Sequence, residues 1–172
     1  MTIQKVGSEF VVNLETEGSQ YHPTITADAS GNFVIAWTDQ FGDASGLGIR
    51  ARRFDALGVP LGIDFPVNSF APGQQSQPEL ASNEYGDFVA VWTNALPNQA
   101  PFLGRGGDIS SRHFSRDGSY VAPADTLNVN AFTAGNQSNA QIAMNRQGNY
   151  VVVWENNQLD QTNTYGIYAQ MF

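Results

Sequence analysis

The chain of 172 residues contains no cysteine and a single lysine, Lys5. The lack of cysteine excludes disulfide bonds, thiolate metal sites and thiol nucleophiles. Sixteen acidic and eight basic residues give a net charge of −8. This charge repels phosphate backbones, so we expect no nucleic acid partner. No apolar run approaches the length that spans a bilayer, and residues 1–5 lack a signal-peptide core, so we expect no membrane partner.

The chain also lacks helical periodicity and the local motifs of common enzyme classes. It has no Gly-x-Ser-x-Gly elbow, no phosphate-binding loop and no histidine cluster. The sequence therefore predicts no catalytic residue and no cofactor. Proline, glycine and β-branched residues dominate its rhythm. With 41% hydrophobic and 12% aromatic residues, the composition is that of a folded chain, and we predict an all-β fold.

Three copies of one segment account for most of the chain. The best-preserved part reads Gly-Asn/Asp-Phe/Tyr-Val-x-x-Trp and lies at 31–37, 86–92 and 148–154. The tryptophans are separated by 92 − 37 = 55 and 154 − 92 = 62 positions. A period of this size indicates stacked supersecondary units.

Each copy contains four short extended segments, which we name strands A to D. In the first copy, strand A is 23–27, strand B is 33–37, strand C is 49–54, and a Val-Asn segment at 9–14 represents strand D. Strand B is apolar at every position, which predicts burial on both faces. Propeller blades, a β-prism and a β-trefoil all suit such sheets. The apolar B strand favours four-stranded antiparallel propeller blades, with the other two as alternatives.

The repeat resembles a family of bacterial and cyanobacterial extracellular β-propeller-like repeats. That family reads, loosely, Val-Asn, Gly-x-Gln-x-x-Pro-x-Ile-Ala, Gly-x-Phe-Val-Val-Val-Trp and Gly-Ile-x-Ala-Gln-Arg-Phe. The resemblance covers almost the full chain and departs at Ala140, where the family has proline. It implies a propeller-like fold and an extracellular context, and it brings no assigned catalytic residues. The matching positions and their counterparts are Asn13, Gly18, Gln20, Pro23, Gly31 and Trp37.

The order of the strands predicts one repeat domain over 1–172, with blade one at about 21–68, blade two at about 77–130 and blade three at about 139–172. Blade three has no strand D of its own, whereas 9–14 is a strand D with no blade before it. Propellers typically have about four to eight blades. We therefore predict a homodimer whose six blades form one ring, with 9–14 completing blade three of the other copy. The alternative is a pseudo-threefold monomer closed by its own 9–14 strand.

The D–A and B–C loops emerge on one side of the predicted blades and vary most between copies, so we expect recognition on that face. We predict a non-enzymatic, lectin-like module that binds glycans there. The alternatives are a purely structural, self-assembling repeat module and a hydrolase. Phe70 and Phe132 could instead plug the blade rims. The candidate ligand-binding residues are Phe70, Phe132, Phe41, Phe102, Arg105 and Tyr165.

Other repeated residues are predicted to be structural. The asparagines and glutamines should hold the D–A turn through side-chain hydrogen bonds, and the tryptophans should pack in the core. These positions are Asn13, Asn68, Asn130, Gln20, Gln75, Gln137, Trp37, Trp92 and Trp154. Asp39, Asp43 and Asp160 are calcium candidates because Ca²⁺ takes oxygen ligands, although no copy has a complete loop of regularly spaced acids.

Overall fold

The computed structural model describes residues 4–43, 46–69, 73–95, 106–121, 127–157 and 164–172. All regular secondary structure in these ranges is β-strand, which confirms the all-β prediction. The same ranges contain no helix that is long and apolar enough to cross a membrane.

The strands form three separate antiparallel sheets, one for each copy of the repeat. Sheet one consists of β1 (Gln20–Ala27), β2 (Phe33–Asp43), β3 (Gly46–Phe54) and β4 (Phe65–Pro66), in that order. Sheet two consists of β5 (Gln74–Ser82), β6 (Phe88–Ala95), β7 (Gly107–Phe114) and β8 (Leu127–Asn128). Sheet three has three strands, β9 (Gln137–Met144), β10 (Tyr150–Asn156) and β11 (Gly166–Met171). Strands A, B and C of the sequence thus correspond to the first three strands of each sheet, and strand D is the fourth strand of sheets one and two.

The hairpin between the first two strands of each sheet is fixed by one repeated side chain. The Oδ1 atom of Asp28 accepts hydrogen bonds from the backbone N of Ser30 at 2.8 Å and of Asn32 at 3.0 Å. Asn83 and Asn145 hold the corresponding turns in the same way. Each of these turns also contains one residue in the left-handed conformation, which glycine adopts without steric cost. These residues are Gly31, Gly86 and Gly148, with φ of 86°, 92° and 94°.

The core lies between the sheets, and sheet two is in the middle. One buried cluster joins side chains of sheets one and two, such as Ile49 and Trp92, and a second joins sheets two and three, such as Ile109 and Trp154. The first strands of the three sheets also contact one another, β1 with β5 and β5 with β9. The sheets therefore stack face to face, with their first strands innermost.

Burial of the B strands on both faces holds for sheet two alone. In β6 every residue except Ala95 is buried, whereas buried and half-buried residues alternate along β10, and Phe33 and Ile35 of β2 are half-buried. The prediction was therefore wrong for the outer sheets within one chain. The reason is that sheet two alone has a neighbouring sheet of the same chain on each side.

Residues 9–14, which we call the N-terminal segment, form no strand within the single chain, and their pairing as strand D with a second copy stays a prediction. The segment packs on sheet one, where the ring centroids of Phe10 and Phe54 are 5.5 Å apart. The backbone N of Leu14 donates to Oδ2 of Asp64 at 3.0 Å. Since β3 already pairs with β4, the segment has no strand edge to join there. It does not close its own chain, and β11 stays at the edge of sheet three.

Asp64 holds the N-terminal segment on sheet one through its charged carboxylate. Its Oδ1 atom lies 2.8 Å from Nη2 of Arg50, while its other oxygen accepts from Leu14. Burial alone would raise the pKa of Asp64, but the hydrogen bonds from Arg50 and Leu14 and the nearby arginine charges outweigh it, so the pKa lies below its ordinary value. The carboxylate therefore stays ionised and holds the segment against sheet one.

A histidine between sheets two and three should make stability depend on pH. Nε2 of His113 lies 2.7 Å from the hydroxyl of Tyr150, and burial lowers the pKa of His113 below 6.5. The unfolded chain then binds a proton more readily than the folded one. The stabilising effect of the neutral ring is complete above about pH 6.5 and is lost as pH falls toward the folded pKa. We expect the free energy of unfolding to fall between about pH 7 and pH 5.

Urea unfolding at several pH values tests this expectation. His113→Gln should flatten the decrease between about pH 7 and pH 5. At higher pH it should cost about 1 kcal/mol, because the hydrogen bond to Tyr150 is weakened. An identical pH dependence in both proteins would show that His113 does not control it.

Candidate functional site

The D–A and B–C loops lie side by side, so they form one face of the stack. In sheet one, the backbone N of Ser19 donates to Oε1 of Gln40 at 3.0 Å. In sheet two, the backbone N of Gly107 donates to Oδ1 of Asn136 at 2.8 Å. Gly18 lies so close to the ring of Phe41 that a Cβ there would be 2.8 Å from a ring carbon. We call this side of the molecule the loop face.

The aromatic residues predicted for ligand binding are exposed where the structure describes them. Phe41, Phe132 and Tyr165 are 58%, 57% and 56% exposed. Phe41 lies near the end of β2, whereas Phe132 and Tyr165 lie on two different loops, and in the described part of the chain no ring contact joins the three. The structure thus places single aromatic side chains around the loop face rather than one aromatic cluster. Phe70, Phe102 and Arg105 lie outside the described residues.

The repeated asparagines tie strand D to strand C and to the D–A turn. Oδ1 of Asn130 accepts from the backbone N of Ile109 at 2.7 Å, and Asn68 accepts from Ile49 at the same distance. Nδ2 of Asn130 donates to the carbonyl of Phe132 at 2.9 Å. Each asparagine also contacts the glutamine seven positions later, in the pairs Asn13–Gln20, Asn68–Gln75 and Asn130–Gln137. These hydrogen bonds fix the backbone on which the loops of the loop face are built.

The acidic residues considered for calcium are engaged in similar structural contacts. Oδ1 of Asp39 accepts from the backbone N of Phe41 at 2.9 Å, and Oδ2 of Asp43 accepts from Nδ2 of Asn68 at 2.9 Å. Among the described residues, no group of three or more acidic or histidine side chains could hold a metal ion. Asp160 lies outside the described residues. Asp39 and Asp43 therefore act as turn and loop supports.

The inner strands carry a feature that the sequence analysis missed. His22, Gln77 and Asn139 occupy the same position in the three copies, and their φ angles are 51°, 56° and 55°. Each lies in a register shift between the first and second strands of its sheet. A left-handed conformation costs energy for residues other than glycine, and such strain concentrates at functional sites. A β-bulge also re-aims the side chains beside it.

These three residues line a pocket of about 260 Å³ between the inner strands, formed by positions 22–23, 77–79 and 139–141. We call it the axial pocket. Glu79 bridges the three sheets there: Oγ1 of Thr24 donates to its Oε2 at 3.1 Å, and Nε2 of Gln141 donates to its Oε1 at 2.9 Å. Thr24, Glu79 and Gln141 are equivalent positions of the repeat. The lining is thus formed by the same few positions of three copies.

Two of the left-handed residues, Gln77 and Asn139, are held by residues that directly follow a tryptophan. Oγ1 of Thr93 donates to Oε1 of Gln77 at 3.3 Å, and the backbone N of Gln77 donates to Oγ1 of Thr38 at 3.1 Å. In sheet three, Nδ2 of Asn139 donates to Oε2 of Glu155 at 2.9 Å. His22 is exposed, and its ring packs edge-on to Tyr21 with centroids 5.0 Å apart. The pocket therefore presents amide, imidazole and carboxylate groups on a defined backbone.

A larger cavity of about 410 Å³ lies between sheets one and two near the A–B turns, at the other end of the strands. Its polar side chains are engaged in the turns. Nη1 of Arg53 donates to the carbonyl of Arg116 at 2.7 Å, and both oxygens of Asp28 accept bonds within its own turn. The hydrogen bond from Ser115 holds the pKa of Asp117 at about 2. The axial pocket, whose amide, imidazole and carboxylate groups come from three sheets, is the better candidate site.

The sequence marks the axial pocket by the position of its residues in the repeat and not by a shared residue type. His22, Gln77 and Asn139 share a position and no residue type, so no repeated letter marks them. Two of them precede a proline, which restricts the backbone of the residue before it. The left-handed conformation arises from the register shift, and only pairing of the folded strands reveals that shift.

No protein-family model and no curated protein sequence matches the chain. Among solved structures it is similar to a protein of unknown function from Dyadobacter fermentans, with 13% identity and a TM-score of 0.66, covering 94% of this chain and 53% of that one. A thermostable family-43 glycoside hydrolase matches with 10% identity and a TM-score of 0.57, covering 92% and 56%. The Bacillus subtilis arabinanase Arb43A matches with 14% identity and a TM-score of 0.56, covering 91% and 55%.

The chain thus spans about half the length of each of these proteins. At such identities the likeness shows the fold alone. The two glycoside hydrolases are β-propeller enzymes, so the three stacked sheets represent a propeller-type architecture.

Proposed function

We propose that the chain is a non-catalytic, carbohydrate-binding module of propeller type, with the axial pocket as its binding site. The observation that carries the proposal is the repeated left-handed residue, which places the side chains of His22, Gln77 and Asn139 around one pocket. Backbone strain at three equivalent positions is difficult to explain by stability alone, because each instance costs roughly 1–3 kcal/mol.

The groups around the pocket suit a sugar better than an apolar or anionic ligand. Amides and carboxylates donate to and accept from adjacent hydroxyls, and a few convergent polar groups are what fix a ligand's orientation. Glu79 and Glu155 would repel an anion. The adjoining rings of Tyr21 and His22 offer an apolar surface next to the polar groups. The similarity to an arabinanase and a second glycoside hydrolase makes arabinose-containing oligosaccharides the first ligands to test.

Binding is favoured over hydrolysis by the surroundings of the axial carboxylate. Both oxygens of Glu79 accept hydrogen bonds from neighbouring sheets, from Thr24 and Gln141. A glycosidase needs a pair of carboxyl groups that are free to act on the two sides of the scissile bond. Glu155, the other carboxylate nearby, is bonded to Asn139. These groups hold strands and side chains together, which fits a binding site.

Two other functions are tested by the same measurements. Binding at the loop face is tested by comparing Phe41→Ala and Phe132→Ala with the variants of the axial pocket, because binding there would depend on the two aromatic rings. A purely structural module would bind no sugar at all. A hydrolase would release reducing ends from arabinan, and Glu79→Gln would then abolish that release while sparing binding.

Glycine substitutions test the axial pocket with little backbone disturbance. Gln77→Gly and Asn139→Gly remove the side chain, and glycine adopts the left-handed conformation without steric cost. We expect each to weaken oligosaccharide binding by about tenfold or more, which corresponds to losing one or two hydrogen bonds. Calorimetric titration with arabinan oligosaccharides, after a glycan array has identified the preferred sugar, gives the affinities.

The matched control is Ser138→Gly, which removes a neighbouring side chain that does not line the pocket. The temperature of thermal unfolding should stay close to that of the unaltered chain in all three variants. Full binding by Gln77→Gly and Asn139→Gly, with loss in Phe132→Ala, would move the site to the loop face. The absence of any glycan ligand for the natural chain would contradict a carbohydrate-binding function altogether.

A further inference from the structure

The two ends of the stack expose the same surfaces that sheet two buries. We call the face of sheet one that is turned away from sheet two the leading face, and the face of sheet three that is turned away from sheet two the trailing face. Both follow from the alternation of side chains along β2 and β10, whose other faces belong to the buried clusters. Apart from the N-terminal segment, which covers part of the leading face, neither face has a partner among the described residues of one chain.

The trailing face carries an isoleucine that is buried in the other two copies. Ile49 and Ile109 are 0% exposed, whereas Ile167, at the same position of β11, is 75% exposed. The last residues of β11 add to the apolar surface, since Met171 is 77% exposed. Val151 and Val153 on β10 alternate toward the same face and are half-buried.

The leading face has the complementary pattern. Leu80 on β5 is 7% exposed and belongs to the cluster between sheets one and two, whereas its counterpart on β1, Ile25, is 60% exposed. Phe88 is 1% exposed, and its counterpart Phe33 is half-buried. The copies are equivalent in sequence. The leading face of sheet one therefore resembles the face of sheet two that packs against sheet one.

The N-terminal segment completes this arrangement. The rings of Phe10 and Phe54 lie 5.5 Å apart at 51°, and those of Phe65 and Phe114 lie 5.8 Å apart at 55°. Phe65 belongs to the sheet that precedes Phe114, and Phe10 occupies the same position one repeat earlier. The segment therefore rests on sheet one as β4 rests on sheet two.

An arginine contact repeats at the same two places. Nη1 of Arg52 donates to the carbonyl of Val12 at 2.8 Å, and Nη1 of Arg112 donates to the carbonyl of Val67 at 2.9 Å. Val67 follows β4, the outer strand of the preceding sheet, so Val12 lies where the outer strand of a sheet before sheet one would lie. The position is occupied even though this chain supplies no such sheet.

We propose that the leading face binds the trailing face of a second copy of this chain, head to tail, through an interface that repeats the one between sheets one and two. The N-terminal segment then becomes the fourth strand of sheet three in the second copy. The internal pairs Arg50 with Pro66 and Ser110 with Asn128 define the register. At the new junction the equivalent pair is Val11 with Tyr168 of the second copy.

The same equivalence predicts two backbone contacts at the junction. The backbone N of Ile109 donates to Oδ1 of Asn130, and the backbone N of Val129 donates to the carbonyl of Ile109 at 2.8 Å. At the junction, Ile167 of the second copy donates to Oδ1 of Asn13, and Val12 donates to the carbonyl of that isoleucine. The backbone N–H and the carbonyl of Ile167 are then both paired, so the exposed edge of β11 no longer invites aggregation.

Two copies joined at both ends give six sheets, which lies within the usual range of about four to eight blades for a closed ring. Closure also bears on the axial pocket, because each copy contributes one set of three left-handed residues to the same axis. The assembly does not rest on carbohydrate binding. A dimer that binds no sugar would leave the interface intact and overturn only the proposed function.

Light scattering on the purified chain tests the assembly. We expect a mass of about 37 kDa, which is 2 × 18.7 kDa for the chain. Ile167→Asp and Ile25→Asp should each reduce the mass to that of one chain, since each places a charge in one of the two faces. The control Tyr85→Asp changes a side chain of sheet two that is 66% exposed and should remain dimeric. Circular dichroism shows whether each variant folds.

The two variants also distinguish head-to-tail from other contacts. Mixing Ile167→Asp with Ile25→Asp should restore a dimer, because the unaltered trailing face of one variant meets the unaltered leading face of the other. A dimer that survives Ile25→Asp but not Ile167→Asp would be face to face and would overturn the proposal. So would a natural chain that is monomeric, or one whose mass grows with concentration beyond two copies.

A disulfide provides a direct test of the register, since the chain has no cysteine of its own. Val11→Cys combined with Tyr168→Cys should yield a covalent dimer under oxidising conditions. The pair Tyr85→Cys with Tyr168→Cys should not. Equal cross-linking of both pairs would show random collision and would contradict the register.

Discussion

Replacing Trp92 with alanine is expected to destabilise the protein by about 3–5 kcal/mol. Trp92 is 1% exposed and lies in the cluster between sheets one and two, together with Phe88 and Phe114. Its removal takes a large apolar surface out of the core and leaves a cavity that a β-sheet cannot easily close. Because domains are stable by only about 5–15 kcal/mol, this single change removes a large share of the total.

Urea unfolding followed by circular dichroism at a fixed protein concentration measures the effect. The control Tyr85→Ala alters an aromatic side chain of the same sheet that is 66% exposed, and it should change stability by less than about 0.5 kcal/mol. If Trp92→Ala lowers the free energy of unfolding as little as the control does, the buried cluster between sheets one and two contributes little to stability.

The second large effect is expected from Asn130→Ala, with a loss of about 2–4 kcal/mol. Asn130 is 3% exposed. Its Oδ1 accepts from the backbone N of Ile109 at 2.7 Å, and its Nδ2 donates to Oδ1 of Asp108 at 2.8 Å. Alanine leaves the buried N–H of Ile109 without its acceptor and removes a donor from a buried carboxylate, and each loss carries a desolvation cost.

Two further variants separate this network from simple packing. Asn130→Asp keeps an acceptor for Ile109 but places a second carboxylate beside Asp108, so its loss of stability should shrink as pH falls and the introduced carboxylate is protonated. Asn128→Ala changes an exposed asparagine of the same segment and should have little effect. If Asn130→Ala is as mild as Asn128→Ala, the hydrogen bonds do not hold strand D to strand C.

Local features of the fold could be predicted because their causes lie within a few residues. The turn at Asp28 needs an acceptor, a glycine and an asparagine at fixed spacing, and all three stand in the sequence. The buried tryptophans at 37, 92 and 154 follow from the apolar B strands.

The axial pocket shows the limit of such reasoning. The shared property of His22, Gln77 and Asn139 is a backbone angle imposed by a register shift, and three unlike side chains leave no repeated letter to find. The loop aromatics were more conspicuous in the sequence, yet the described ones remain separate on the surface. Residue type pointed to the loop face, whereas only strand pairing revealed the axial pocket.

The sequence by itself determined the repeat, the strand order within each sheet and the turns, because each depends on interactions between residues close together in the chain. Only the tertiary structure decided which faces are covered. Ile49, Ile109 and Ile167 occupy one position in three copies, yet two are fully buried and the third is 75% exposed. Equivalent sequences fold into equivalent sheets, but burial depends on what lies beside each sheet, and that neighbour is set by the stacking of the whole chain.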